Sequence, residues 1–234
     1  NTIFSADPGE SRVSATGSDA LQVPVPSASA GVLSNGFGAQ NLTILRRDSE
    51  SGVVSSETLA VGADSDAKTI AGNLQSVQGI QATAYTHVRL DNFVDASNGT
   101  DLGFEINGET IIIPFDSESI QDDLARLINE NSTLQNLNIY AVSDGVDVEI
   151  HATDGIDIVV SATGAAGDSV DVSTVDPYTP AAVSFDTQTV TAGNGVAVGG
   201  ALDVTLADGL SFTANVDSVF ERAPIGLSTY LGFQ

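Results

Sequence analysis

Cysteine, methionine and tryptophan are absent from this 234-residue chain, and each absence removes a class of chemistry. Without Cys there is no disulfide framework, no thiol nucleophile and no thiolate metal site. Basic residues are scarce: Lys and Arg total 7 against 31 Asp and Glu, a formal net charge of -24. Such a field repels phosphate backbones and anionic lipid. Arg46-Arg47 is the sole basic doublet, which leaves no nucleic-acid patch. No run approaches the roughly 18 uncharged apolar residues that a transmembrane helix needs, so membrane insertion is not expected. With aromatics at 6%, the chain lacks the platforms that line sugar-cleaving clefts, and its many carboxylates rank low as a glycosidase pair. No Gly-x-Ser-x-Gly elbow, Walker loop or His-Glu-x-x-His motif occurs.

What is present suffices for a folded protein. Hydrophobic residues make up 41% of the chain, enough for real cores at this length. Only 16% is charged, and Ser, Thr, Asn, Gly and Ala fill the rest of the surface, which argues against a disordered acidic tail. The opening NTIFSADPGE has neither the basic flank nor the apolar run of a signal peptide, and no initiating methionine. The expectation is a piece of a longer chain. Pro- and Gly-rich stretches at 23–40 and 175–182 read as connectors.

Between those connectors lies an internal near-repeat. Glu57-Thr58-Leu59 and Glu109-Thr110-Ile111 stand 52 residues apart, as do Ala67 and Ser119. In the first copy a strand around Thr58 to Val61 leads to a helix over Asp66 to Val77. In the second, GETIIIPFDSESIQDDLARLIN at 108–129 repeats the order. Ala67, Ile70, Ala71, Leu74 and Val77 share one helical face, and so do Ile120, Leu124, Leu127 and Ile128. Asp64 or Ser65, and Asp116 or Ser117, are placed to cap the two helix starts. Gly79 and Asn129 to Asn131 read as helix ends.

An alternating strand follows each helix, Ile80 to Leu90 in the first copy and Leu137 to Val142 in the second. Asp144-Gly145 and Asp154-Gly155 then read as hairpin turns of a meander. Its Val146, Val148 and Ile150 face one way, and Asp147, Glu149 and His151 the other. After Pro180 the pattern is rich in strands, closing on STYLGFQ.

The chemically suggestive residues have plainer readings. Ser65-Asp66-Ala67-Lys68 has the Ser-x-x-Lys spacing of some acylating enzymes, but the companion Ser-Asp-Asn and Lys-Thr-Gly motifs are missing, so Lys68 reads as a solvated helix lysine. His87 and His151 fall on strands and would make a metal pair, with Asp147 and Glu149 nearby, if the two units pack side by side. Neither has a known ligand spacing, and solvated strand histidines are the reading adopted. The Asp-Gly-x-Asp pairs at 144–147 and 154–157 lack the order of an EF-hand and are explained by turn chemistry. Asn41, Asn98 and Asn131 begin N-glycosylation sequons and mark expected surface loops. No catalytic, cofactor-binding or metal-binding residues are assigned, and the chain is read as not an enzyme.

The succession DSDAKTIAGNLQSVQGIQATAYT, LGFEINGETIIIP, SIQDDLARLINENS and LNIYAVSDGVDVEIHATDGIDIVV resembles the repeated insert of bacterial flagellin and its relatives. Leu127-Ile128-Asn129 matches the helix-ending Ile-Asn step of that insert, and Gly79 to Ala84 its following strand. The tail, VGGALDVTLADGLSFTANVDSVFERAP to STYLGFQ, looks like the strand-rich central region of hook-associated junction proteins. The resemblance covers about residues 55 to 234 and is most specific over 57 to 163. It implies a structural, surface-exposed domain of an extracellular flagellar filament or hook–filament junction protein. Its partners would be neighbouring copies or other axial proteins, and it brings no catalytic or binding residues to carry over. The family's inserts are frequently glycosylated on Ser and Thr. A calcium- or glycan-binding adhesive module is the alternative.

The expected fold is α+β and strand-dominated: two β-rich lobes, with two short amphipathic helices packed on sheets. Residues 1–40 would form an opening segment that pairs with a closing lobe at 177–234, and residues 41–176 the repeat lobe.

Overall fold

The computed structural model describes residues 4–5, 11–15, 33–35, 38–48, 50–96, 99–175, 184–207 and 209–214. Most of the connector at 23–40, the connector at 175–182 beyond Val175, Asn98 and the closing STYLGFQ lie outside the described residues. The described chain is strand-dominated α+β, with three antiparallel sheets and three short helices. None of these helices is long and apolar enough to cross a membrane.

One sheet runs in the order β1 (Phe4–Ser5), β15 (Leu210–Ala214), β3 (Gln40–Arg47), β4 (Val54–Val61). A second runs β13 (Gly195–Val198), β10 (Ile158–Ala162), β6 (Leu102–Ile106), β7 (Glu109–Ile113). The largest runs β12 (Ser184–Thr191), β11 (Ser169–Val175), β5 (Ile80–Val94), β14 (Ala201–Leu206), β2 (Ser11–Ala15). In addition, β9 (Val148–Ala152) pairs with β5, and β8 (Ile139–Ser143) with β9. Opening and closing strands pair directly, with Phe4 opposite Phe212 and Val13 opposite Val204.

The spine is β5. Its 15 residues, at about 3.3 Å each, extend for about 50 Å, long enough to serve several neighbours in turn. Ile80 to Tyr85 pair with β14, Thr86 to Leu90 with β9, and Val88 to Val94 with β11. Strict alternation places Ala82, Ala84, Val88 and Leu90 on a buried face, and Tyr85, His87, Arg89 and Asp91 on the opposite one.

Two helices close the buried side in two separate cores. The first, α1 (Ala67–Gln75), lays Ala67, Ile70, Ala71 and Leu74 against Leu42, Val61, Ala82, Leu202 and Leu206. The second, α2 (Ile120–Glu130), sets Leu124 and Ile128 among Phe104, Ile113, Ile139, Val148 and Ile150, with Ile120 and Leu127 partly buried at the margin. Both apolar stripes are those the 3.6-residue spacing marks.

The helix caps lie one to three residues beyond the expected positions. Asp66 caps α1, its carboxylate accepting from the Thr69 N–H at 2.7 Å. Asp64 instead occupies a left-handed turn at φ 54° and accepts from Ser34 and from the Asn35 N–H. Ser119 caps α2 by accepting from the Asp122 N–H. Ser117 closes a turn onto the Pro114 carbonyl, and its hydroxyl donates to Asp123. At the other ends, α1 stops at Ser76, ahead of Gly79, and α2 stops at Asn131. A third helix, α3 (Ser132–Asn136), was not anticipated. Asn131 starts it by accepting from the Thr133 and Leu134 N–H groups, and Leu134 is buried beneath it.

Asp144-Gly145 does turn the β8–β9 hairpin, although Val146 stands on its tip, 69% exposed, rather than in the core. Asp154-Gly155 is not a hairpin. The strands it joins, β9 and β10, belong to different sheets, and the dipeptide is the corner at which the chain changes layer. Gly155 has φ +78° there, and an added Cβ would stand 2.2 Å from the Ala84 Cβ. Its carbonyl accepts from the Lys68 N–H, tying the corner to the start of α1.

Two substitutions test this packing. Leu124→Ala leaves a cavity in the second core and is expected to cost about 2–5 kcal/mol in urea unfolding; a loss under about 0.5 kcal/mol would show that α2 is not packed. Gly155→Ala combines a left-handed backbone with a clash against Ala84 and should lower the unfolding midpoint far more than Ala at the open, right-handed Gly72.

Candidate functional site

Register, more than local sequence, builds the polar face of the spine sheet. On it Tyr140 of β8, His151 of β9 and His87 of β5 stand directly across from one another. The next row is Val142, Glu149, Arg89 and Ser173, and beyond it Asp91 faces Asp171. The two histidines therefore meet, as side-by-side packing of the two units requires.

They are not solvated. His151 is 8% exposed, and its ring stacks on Tyr140 at 4.8 Å and 20°, while the His87 ring centroid lies 4.2 Å away. The Tyr140 and Tyr85 hydroxyls are 3.1 Å apart and frame the His151 ring. Burial holds the imidazoles below the usual histidine range. For His151 the value falls to about 4, with the neighbouring His87 adding to the effect; for His87 burial outweighs the pull of Glu149. Both rings are neutral at physiological pH.

Glu149 stands between them, its Oε2 3.3 Å from His87 Nε2 and 3.7 Å from His151 Nε2. The first is an ion-pair contact outside hydrogen-bond alignment and the second is too long for a hydrogen bond, so His87 Nε2 is buried without one; the other nitrogen of His151, Nδ1, is also buried without one. One donor atom from each of these three residues falls within 4.8 Å of the others, the one such group among the described residues. Arg89 lies alongside, with Nε 3.5 Å from Asp91 and 3.7 Å from Asp147. Burial pushes the Asp91 carboxyl up against the opposing pull of Arg89.

The other candidates disperse. Lys68 is exposed but pairs with Asp154 at 2.6 Å, which raises its pKa and removes it as a base for Ser65. Asp144 accepts from the Val146 and Asp147 N–H groups at 2.8 Å, the turn chemistry its sequence indicates. Of the sequon residues, Asn41 lies on a strand rather than a loop. Asn131 is engaged at both ends, accepting at the α3 cap and donating to Glu109.

Asp157, the last member of the second Asp-Gly-x-Asp, became a structural acid that local pattern did not reveal. It accepts from Asn35 Nδ2 at 2.8 Å across 122 residues, while its other carboxyl oxygen is buried without a partner. Burial, with Asp66 and Asp64 nearby, pushes it up to about 7.

No family model matches this chain, and no curated protein matches it.

The Asp157 environment has a pH signature. Its folded pKa exceeds the unfolded one, so the native state holds a proton that the unfolded state releases between about pH 4 and 7, and stability from this group is lost as pH rises through that window. Asp157→Asn keeps the acceptor for Asn35 without the charge. Relative to the parent, it should gain stability from about pH 4 to 7 and level off above, measured as the difference in urea midpoints.

Proposed function

We propose that the chain is a structural, surface-exposed domain of an extracellular bacterial flagellar protein, either a hook-associated junction protein or a flagellin, and that it performs no catalysis. The observation that carries this reading is the twin strand–helix–strand unit in which both helices are fully occupied by core formation. The stripe of α1 and the stripe of α2 each end in a closed apolar cluster, as scaffolding requires. Support also comes from polar residues with structural roles, among them Asp66 and Ser119 at helix starts, Asp144 in a turn and Ser173 paired with Thr187 across strands. The resemblance of residues 57–163 to the repeated flagellin insert supports a flagellar parent for this reading.

In this reading the acidic, Ser- and Thr-rich surface faces the medium, and the contacts to neighbouring axial subunits lie on other parts of the assembly. Immunogold labelling of intact cells with antibodies raised against the 234-residue chain tests it. Gold along the filament is expected of a flagellin, and a narrow band where filament meets hook of a junction protein. Label confined to the cell body or cytoplasm would overturn the assignment.

A further inference from the structure

We infer that His87, Glu149 and His151 form a binding site for a divalent transition-metal ion, with zinc the best match, that clips the two strand–helix–strand units together. The three residues supply two imidazole nitrogens and one carboxylate oxygen, all within 4.8 Å. Such a set suits zinc, copper or nickel and disfavours calcium and magnesium, which take oxygen ligands. Around zinc with bonds of about 2.0–2.1 Å, ligand atoms sit at the corners of a tetrahedron whose edge is about 3.3 Å. The two measured separations, 3.3 and 3.7 Å, lie at or just beyond that edge.

Further observations point to a ligand. His87 Nε2, the nitrogen nearest Glu149, is buried without a hydrogen bond, and the more than nine-tenths-buried His151 ring has a second unpaired nitrogen at Nδ1, while its Nε2 is the atom 3.7 Å from Glu149. Unsatisfied buried nitrogens are uncommon because they give up water without replacement. The Tyr140 stack restrains one ring from behind. The imidazole centroids lie only 4.2 Å apart, with the planes at 31°, so a shared ion requires rotation about the Cβ–Cγ bonds. Glu149, 40% exposed, is free to follow and leaves the fourth position to water. The nearest opposing charge, Arg89, is held by Asp91 and Asp147, which offset it.

The consequence is mechanical. His87 lies on the strand after α1, whereas Glu149 and His151 lie on the hairpin after α2, so one ion spans the seam between the units. This inference does not depend on the flagellar assignment.

The test uses the whole chain stripped with EDTA and titrated with zinc chloride, followed by calorimetry and melting temperature. A single ion per chain and a rise of several degrees at saturation are expected, because the ion binds the native state. Magnesium and calcium should leave the midpoint unmoved. Glu149→Gln, a near-isosteric change at a half-exposed side chain, should weaken zinc by about tenfold or more, and His87→Gln should abolish the shift. Copper bound in place of zinc should show hyperfine coupling to two nitrogens in its electron paramagnetic resonance spectrum. The inference fails if zinc produces no shift, or if Glu149→Gln binds zinc as tightly as the parent, which would place the ions on the general acidic surface. Should His87→Gln not fold, Glu149→Gln and the copper spectrum decide.

Discussion

A strand that must supply one wall to each of two cores and hydrogen-bond along both edges has little freedom in sequence, and β5 meets that demand over 15 residues. Every second side chain from Ile80 to Leu90 is small or aliphatic apart from Thr86, whose hydroxyl is satisfied by the Ile156 carbonyl at 2.7 Å. Slipping the register by one residue would turn His87, Arg89 and Asp91 into the interior and strand their charges there. The packing of α1, of α2 and of the crossing at Gly155 all take their positions from this strand. Its first half faces the α1 core and its second half the α2 core, so the units are joined through continuous backbone rather than a hinge.

Electrostatics shape the exterior by a different rule. With a formal charge of -24, carboxylates cannot all find cations, and several take hydrogen bonds from backbone N–H groups instead. Asp66 and Asp144 use that solution at a helix start and a turn, and Asp48 does the same by accepting from the Glu50 and Ser51 N–H groups. Two of the scarce cations stand where chain segments distant in sequence meet, while Arg126 pairs with Asp123 and Glu130 of its own helix. Lys68 reaches Asp154 across 86 residues, and Arg89 sits among Asp91 and Asp147. Exposed pairs of this kind contribute little individually, but their placement marks the same seams that the cores close.

Elements carried by local periodicity were legible in the sequence. The apolar faces of α1 and α2, the alternation of β5 and the Asp144-Gly145 turn depend only on residues within a dozen positions, and local physics sets them. What depended on long-range pairing was not. The caps moved to Asp66 and Ser119 because Asp64 and Ser117 were drawn into turns, one of them by Ser34 and Asn35 some thirty residues away. Asp154-Gly155 carries a hairpin dipeptide, yet the strand after it pairs with β6 and β13 instead of β9, a choice made by the sheets and invisible in the dipeptide. The meeting of His87 and His151 was legible as a condition on packing, but the burial of both rings was not, because alternation reports which face a residue occupies and says nothing of what surrounds that face.

That last distinction bears on how function is read in strand-rich proteins. Outward-pointing residues on a wide sheet are screened by their own neighbours: a tyrosine on one side, a second histidine on the other, a carboxylate diagonally across and an arginine one row down suffice to take an imidazole out of water. A polar face can then acquire the chemistry of a core, with neutral rings and unpaired nitrogens, and no cleft need form. The same reasoning explains why motif searches pass over it. Ligands drawn from facing strands have a sequence separation fixed by the intervening fold, here 64 residues from His87 to His151, so no local spacing encodes them. Register is the code, and β5 is where it is written.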